Sequence, residues 1–169
     1  MKQLNVFDDG TQSTSCDDIT YWKVFIDGAS RNNPGPAGAG VHILKNDKLV
    51  LEKGFYLGLK TNNQAEYLAL LLGIFYVKKN LCKDDMLLIV SDSQLLVRQM
   101  EGAYRVKNVD LKPLYQLANQ LLHGINYSIL HVLREDNKDA DRMANVGLDK
   151  RSRVPSDFLQ VLQRYEIQL

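Results

Sequence analysis

The fold is decided by residues 21–57, YWKVFIDGASRNNPGPAGAGVHILKNDKLVLEKGFYL. Apolar residues occupy both alternating positions of Tyr21–Asp27, a pattern typical of a strand covered on both faces. The glycine- and proline-rich run Asn33–Gly40 is expected to break this strand. Two further strands, Val41–Leu44 and Lys48–Leu57, are joined by a short hairpin turn. The stretch therefore predicts an antiparallel meander.

Strands and helices alternate after the meander. The pattern predicts a helix capped by Asn62 or Asn63 and running to about Asn80, a strand Met86–Ser91, a helix Ser93–Met100, a helix from Lys112 or Pro113 to near His123, a strand Ile125–Leu133, a helix Lys138–Leu148 capped by Asn137, and a helix Ser156–Tyr165. The order β-β-β-α-β-α-α-β-α-α predicts an α/β fold. Its five-stranded mixed sheet, an antiparallel meander followed by parallel strands, would carry helices on both faces.

The length of 169 residues is that of one domain. We expect a mobile acidic tail over residues 1–19, a folded domain over residues 20–149, and a basic linker with a packed C-terminal helix over residues 150–169. The longest apolar run, Tyr67–Val77, is too short to span a bilayer, so no membrane association is expected.

Overall charge and cysteine usage are unremarkable. The 21 basic and 20 acidic side chains give a net charge of +1, which does not indicate a nucleic-acid binder but leaves room for a local basic strip. Cys16 and Cys82 follow no metal or redox spacing, so we expect reduced thiols and a cytoplasmic location. The N-terminus has no apolar signal region, so secretion is not expected.

Four acidic residues stand at the ends of predicted buried elements: Asp27, Glu66, Asp92 and Asp141. If the strands of Asp27 and Asp92 are parallel neighbours, both carboxylates face one crevice. Glu66 and Asp141 are expected in the first turns of helices, where the helix dipole favours a carboxylate. Carboxylates brought this close repel one another, and hard oxygen ligands select Mg²⁺ or Mn²⁺.

Each of these acids also has a purely structural interpretation. Asp27 before a glycine can form a turn, and Asp92 between two serines can cap a helix. Glu66 can be an ordinary first-turn acid, and Asp141 can be a surface charge. The metal-site hypothesis therefore depends on all four acids together with the residues that flank them.

The flanking residues form four blocks in order: DGASRNNPGPAGAG, TNNQAEYLAL, SDSQLLVRQM and REDNKDADRMAN. Together they resemble ribonuclease H type 1 over about 21–148, in the compact archaeal and bacterial form with a short loop before the last aspartate. The resemblance makes residues 20–149 the catalytic domain. It implies an endoribonuclease that hydrolyses the RNA strand of RNA/DNA hybrids with two Mg²⁺ ions, or Mn²⁺ in their place, leaving 5′-phosphate and 3′-hydroxyl ends.

The resemblance also implies roles for single residues. Asp27 would bridge both metals, with Glu66 and Asp92 on one and Asp141 on the other. Arg134 would occupy the functional position of the short loop, whereas His131 is interpreted as a strand histidine. Substrate contacts are implied for these residues: Asn33, Asn63 and Gln94 near RNA 2′-hydroxyls, and Thr61 and Asn62 at a DNA phosphate.

Asn137 lies one helical turn before Asp141, so it can reach the substrate site, cap its helix, or do both. Other functions remain open. One is a catalytically weak or dead hybrid-binding module on the same fold, and another is a related nuclease such as a junction resolvase or a 3′–5′ exonuclease. We expect a monomer with no obligate protein partner.

Overall fold

The computed structural model describes residues 19–169. Its strands and helices are, in chain order, β1 Tyr21–Ser30, β2 Gly35–Lys45, β3 Lys48–Lys60, α1 Asn62–Lys78, β4 Met86–Ser91, α2 Gln94–Met100, α3 Lys112–Leu122, β5 Asn126–His131, a 3₁₀ turn Arg134–Asp136, α4 Lys138–Lys150 and α5 Ser156–Arg164. The predicted acidic tail lies outside the described residues, apart from its last residue, Ile19.

The five strands form one sheet in the order β3-β2-β1-β4-β5. The β1–β2 and β2–β3 pairs are antiparallel, and the β1–β4 and β4–β5 pairs are parallel. The predicted mixed α/β fold is therefore confirmed. Among residues 19–169, no helix has the length and apolar character that crossing a bilayer requires.

The glycine- and proline-rich run Asn33–Gly40, predicted to break the first strand, is largely strand itself. β1 continues to Ser30 and β2 already begins at Gly35, so most of the run is strand. Its glycines serve close packing, because a Cβ on Gly40 would lie 1.9 Å from the carbonyl oxygen of Ala140 in α4. A Cβ on Gly38 would lie 2.3 Å from the carbonyl oxygen of Ala144. Both glycines let α4 lie directly on the sheet.

Helix α1 is buried between two layers. Its Gly73 lies against Val24 and Ile26 of the sheet, on the face opposite α4. On its outer side, the ring of Phe75 meets the fully buried ring of Phe158 from α5, with 5.3 Å between centroids. A helix covered on both sides is apolar all round, which accounts for the run YLALLLGIFYV.

The cap of α1 differs from the prediction. Thr61, rather than Asn62 or Asn63, is the N-cap. Its hydroxyl accepts a hydrogen bond from the Gln64 amide at 3.2 Å, and the Gln64 side chain accepts one from the Thr61 amide at 2.9 Å. This reciprocal capping box leaves both asparagine side chains free for other contacts.

Candidate metal centre

Two carboxylates lie at the same edge of the sheet, on the parallel neighbours β1 and β4. Asp27 lies within β1, and Asp92 directly follows Ser91, the last residue of β4. Ile26 and Ser91 are register partners, so the two aspartates lie side by side. The parallel pairing that convergence requires is therefore present.

Glu66 reaches the same place from α1. The sequence predicted Glu66 in the first turn of the helix. It lies in the second turn, because the helix begins at Asn62. Its Oε2 accepts a hydrogen bond of 3.1 Å from the Gly28 amide. A Cβ on Gly28 would lie 2.2 Å from the Glu66 nitrogen, so only glycine allows this approach of α1 to β1.

Asp141 lies in the first turn of α4, as predicted. Its Oδ1 accepts a hydrogen bond of 2.8 Å from the Arg134 guanidinium, and the Arg134 side chain is 78% exposed. A cleft of about 420 Å³ is lined by both residues together with Asp27, Glu66 and Asp92. The structure thus places all four predicted acids on one cleft.

Three of the four acids are close enough to share one ion. Ligand oxygens of Asp27, Glu66 and Asp92 lie within 4.8 Å of one another. Asp141 is outside this group and is held by Arg134 at the same cleft. The donor set consists of carboxylate oxygens, which suits a hard cation such as Mg²⁺ or Mn²⁺.

The proton affinity of these carboxyls is abnormal. Burial, followed by the charges of Asp92 and Asp141 and a hydrogen bond with Asp92, raises the pKa of Asp27 from 3.8 to about 7. Burial, followed by the charges of Asp27 and Asp92, raises the pKa of Glu66 well above its ordinary value. The Gly28 amide opposes this second shift only in part.

These shifts are the test of whether the residues fit a metal ion. A buried group of carboxyls that holds protons near neutral pH lacks compensating positive charge. A divalent cation supplies that charge and allows the acids to ionise together. The geometry, the oxygen donors and the raised pKa values all fit such an ion.

Two predicted substrate residues, Asn33 and Asn62, form a hydrogen-bonded rim with Ser30 beside the acids. The Asn62 amide donates to Asn33 Oδ1 at 3.0 Å, and Asn62 Oδ1 accepts from the Ser30 amide at 2.9 Å. Thr61 stands next to them as the cap of α1. Asn62 and Ser30 also line the cleft.

The other predicted positions differ in accessibility. Asn63 and Gln94 are exposed, so both are open to a ligand. Asn137 is 1% exposed and stands at the N-cap of α4, as predicted, but its side chain makes no capping hydrogen bond. His131 is the last residue of β5, as interpreted, and its Nε2 lies 3.3 Å from the Asp92 carbonyl oxygen.

Two contributors to the cleft were not singled out from the sequence. Gly28 supplies a backbone donor to Glu66, and Ser30 joins the rim through its amide. Both lie in the block DGAS after β1's apolar run, so the signal was present as a motif. Their backbone roles are invisible to arguments based on side chains.

A second group with metal-ligand chemistry lies elsewhere, formed by His42, Glu52 and Asp139. Glu52 Oε1 accepts from the Arg142 guanidinium at 2.6 Å and lies 3.0 Å from His42 Nδ1. Arg142 also lies 3.4 Å from Asp139. The guanidinium already supplies the positive charge here, so this group is a surface ion-pair network.

The sequence of this chain is similar to those of curated ribonucleases H. A family model described as reverse transcriptase-like matches residues 25–147. Ribonuclease HI of Halobacterium salinarum is 42% identical over 127 residues, which cover 74% of this chain and 63% of that protein. The chain spans 34% to 63% of the length of the first curated relatives it matches.

Solved structures share the fold. The crystal structure of RNase H1 from Halobacterium salinarum NRC-1 has a TM-score of 0.73 and 38% identity, covering 77% of this chain and 98% of that one. LC11-RNase H1, isolated from compost by a metagenomic approach, is known in complex with an RNA/DNA hybrid. That complex has a TM-score of 0.71 and 34% identity, covering 78% of this chain and 97% of that one.

Proposed function

Because the chain belongs to the ribonuclease H type 1 family, we propose that it is a metal-dependent endonuclease that cleaves the RNA strand of RNA/DNA hybrids. The products would carry 5′-phosphate and 3′-hydroxyl ends. One observation carries the proposal: the carboxylates of Asp27 in β1, Asp92 after β4 and Glu66 in α1 converge within 4.8 Å, and the pKa of Asp27 is raised to about 7. The hybrid bound by LC11-RNase H1 supports the choice of substrate.

Asp27, Glu66, Asp92 and Asp141 would hold two Mg²⁺ ions, or Mn²⁺ in their place. Asp27 would be shared, with Glu66 and Asp92 on one side and Asp141 on the other. When bound, the ions activate the attacking water and stabilise the leaving oxygen. Bound cations would favour the ionised form of Asp27, whose pKa is raised to about 7, and the hydrogen bond from the Gly28 amide holds Glu66 at the site.

The rim beside the acids would recognise the two strands. Asn33, Asn63 and Gln94 carry amides that can both donate to and accept from RNA 2′-hydroxyls, which DNA lacks. Thr61 and Asn62 lie at the N-terminus of α1, where a DNA-strand phosphate is favoured. Hydrogen bonds among Asn33, Asn62 and Ser30 hold this rim in shape before substrate arrives.

Arg134 would act at the edge of the site. Its guanidinium holds Asp141, and its positive charge also acts on Asp27 and Asp92. The hydrogen bond and the charge of Asp141 raise the pKa of Arg134 above its ordinary value, so it stays protonated. That charge can stabilise the phosphate released by cleavage.

A weak or inactive hybrid-binding protein is the second candidate. The contact that favours it is the 2.8 Å ion pair between Arg134 and Asp141. A guanidinium on Asp141 competes with any cation that uses the same carboxylate. We keep cleavage as the main proposal because the Arg134 side chain is 78% exposed and can leave Asp141 at little cost.

The test is cleavage of an end-labelled RNA/DNA hybrid with Mg²⁺ and, separately, Mn²⁺, using Asp92→Asn as the control. Internal cuts in the RNA strand that disappear in the variant are expected. A DNA duplex and a single strand, tested in parallel, should remain intact. Cutting of plain DNA would indicate another nuclease type, and hybrid binding without cutting in either metal would leave the binding function.

The setting of this activity stays a prediction. Reduced cysteines are expected for a cytoplasmic protein, and the structure describes Cys82 but not Cys16. A monomer without an obligate protein partner is expected as well. The proposed parts, an acidic tail over residues 1–19, a catalytic domain over residues 20–149 and a C-terminal segment over residues 150–169, can be examined by limited proteolysis.

A further inference from the structure

Asn137 has contacts that neither capping nor substrate binding accounts for. Its Nδ2 donates to the Ile26 carbonyl oxygen at 2.9 Å and to Asp92 Oδ1 at 3.1 Å. The residue is 1% exposed and is not among the residues that line the cleft. Within residues 19–169, Asp92 is the one of the four acids to which its side chain is hydrogen-bonded.

The orientation of this amide is determined by its acceptors. Both partners of Nδ2 are oxygens that can only accept, so a rotated amide would set Asn137 Oδ1 against two other oxygens. In the observed orientation, Asn137 Oδ1 is buried without a hydrogen-bond partner among the described residues. An unpaired buried acceptor costs free energy, so the two hydrogen bonds that Nδ2 donates have to offset that cost.

The position of Asn137 in the chain shows which elements these hydrogen bonds connect. It is the N-cap residue of α4, yet its side chain turns away from the helix and towards β1 and β4. Its carbonyl oxygen accepts from the Asp141 amide at 3.1 Å. One residue thus touches the strand that carries Asp27, the carboxylate of Asp92 and the helical turn that carries Asp141.

We propose that Asn137 is a positioning residue of the metal site. Its amide holds the Asp92 carboxylate through Oδ1 and so fixes the orientation of a residue that would bind the cation. At the same time it fixes the first turn of α4, and with it Asp141, against β1 at Ile26. This inference rests on the proposed metal-dependent function of the four acids, and it replaces the substrate contact predicted for Asn137 from the sequence.

A purely structural role is the competing explanation. Asn137 would then stabilise the junction of β1 and α4 as any buried hydrogen bond does. The two explanations differ in one measurable respect. A residue that orients a metal ligand changes the affinity for the ion, typically about 10- to 100-fold when removed. A residue that only holds the fold changes the unfolding free energy and leaves the affinity of the folded protein unchanged.

The experiment compares the full chain with Asn137→Ala and Asn137→Leu. The leucine keeps the volume, removes the unpaired oxygen and still abolishes both donor contacts, so it remains informative if the alanine variant folds poorly. Tyr67→Phe is the matched control, because it removes a buried 2.8 Å hydrogen bond to Gln99 outside the cleft. Mn²⁺ binding by calorimetry, urea unfolding and steady-state hybrid cleavage are measured for each protein.

Both Asn137 variants are expected to raise the Kd for Mn²⁺ roughly 10- to 100-fold and to shift the metal dependence of kcat by a similar factor. The KM for hybrid at saturating metal should not change. Tyr67→Phe should lower the unfolding midpoint and leave the Kd at the wild-type value.

Two results would overturn the proposal. An unchanged Kd for Mn²⁺ with a raised KM would make Asn137 a substrate contact. An unchanged Kd with a loss of stability like that of Tyr67→Phe would make it a structural residue. A wild-type protein that cleaves no hybrid would refute the proposed function, but the Mn²⁺ titration would still decide the role of Asn137.

Discussion

The paired region of the parallel strands β1 and β4 has a buried carboxylate at each end, Asp85 at one and Asp27 at the other. The surroundings of the two carboxylates are opposite in kind. At the end where both strands begin, Asp85 is 5% exposed and has three donors. Its Oδ2 accepts from Trp22 Nε1 at 2.9 Å and from the Cys82 amide at 3.0 Å, and its Oδ1 accepts from the Thr20 amide at 3.2 Å. This carboxylate is fully engaged by the fold.

At the other end, Asp27 is also 5% exposed, but its neighbours are carboxylates. The pKa values follow from this difference. Burial alone would raise the pKa of Asp85, but the hydrogen bonds from Cys82, Trp22 and Thr20 and the charge of Lys45 bring it below the ordinary value. Burial and the neighbouring acids raise that of Asp27 to about 7.

The contrast separates a structural carboxylate from a functional one. Donors around Asp85 stabilise its charge at no cost to function, whereas acids around Asp27 oppose one another until a cation binds. The two ends therefore predict opposite effects of the same substitution, aspartate to asparagine, on stability and on activity.

The largest effect is expected for Asp27→Asn. Cleavage of the hybrid should fall below detection, because the variant loses the ligand shared by both ions. The metal-free protein should become more stable by roughly 1–3 kcal/mol at pH 8, since a pKa raised by about three units is a penalty on the ionised folded state. Urea unfolding in EDTA and a hybrid cleavage assay measure the two effects.

Asp139→Asn is the matched control for this prediction. Asp139 is an aspartate of the first turn of α4 and is 58% exposed in its ion pair with Arg142. Both its activity and its stability should stay close to the wild-type values. If Asp27→Asn lost activity and stability together, the opposition among the acids would not be the dominant force at this end.

The next effect is the reverse, for Asp85→Asn. Asparagine keeps the shape but loses the charge and one acceptor, so buried donors of Trp22 or Cys82 are left unpaired. We expect a loss of about 2–4 kcal/mol in unfolding free energy, the scale of charge-assisted hydrogen bonds and unpaired buried donors. Hybrid cleavage well below the unfolding transition should remain near wild type. Lost cleavage in a folded variant would mean that the two ends are coupled.

The third prediction concerns pH. An unfolded aspartate ionises near pH 4, whereas folded Asp27 does so only at about pH 7. Between these values the folded protein holds the extra proton, so the stability of the metal-free protein falls as pH rises from about 4 to 7. Glu66 acts in the same direction. Asp85 acts on the acid side, where its contribution is lost as pH falls below about 4 through its lowered folded pKa.

Unfolding in EDTA across this range should therefore show a maximum at mildly acidic pH. Saturating Mg²⁺ should remove most of the decline towards pH 7, because the ion stabilises the ionised acids. Asp27→Asn should flatten the decline without added metal. A wild-type profile that rises steadily from pH 4 to 8 in EDTA would contradict the assigned shifts.

The same contrast explains what could be predicted from the sequence. The element order and the four acids follow from local apolar periodicity and from motifs. The wrong predictions depended on distant contacts: Gly38 and Gly40 looked like turn residues because their partner α4 lies about 100 positions later. Asn137 does stand at the N-cap of α4, but the acceptor of its side chain, the Ile26 carbonyl oxygen, is 111 positions away and left no local signal. Asp85 was not singled out, because in the run KDD nothing indicates Trp22, 63 positions earlier.

The smallest effect is expected for Arg134→Ala. This variant tests whether the Arg134 guanidinium already supplies part of the positive charge that the acids need. The ion pair with Asp141 is mostly exposed on the arginine side, so its loss should change the unfolding free energy by less than about 1 kcal/mol. Freed from the guanidinium, Asp141 should bind metal at a lower Mg²⁺ concentration. The kcat should nevertheless fall several-fold, because the positive charge near the released phosphate is gone.

Arg134→Lys separates charge from geometry in this test. Lysine keeps the charge but not the planar fork of the guanidinium. The variant should therefore recover kcat in part, while Asp141 should still bind Mg²⁺ at a lower concentration than in the wild type. Steady-state cleavage as a function of Mg²⁺ concentration gives both quantities for the three proteins. If Arg134→Ala needed more Mg²⁺ than wild type, the guanidinium would be organising Asp141 for the ion and not competing with it. Asp141 would then resemble Asp85, because a hydrogen-bond donor would hold each carboxylate in its working position.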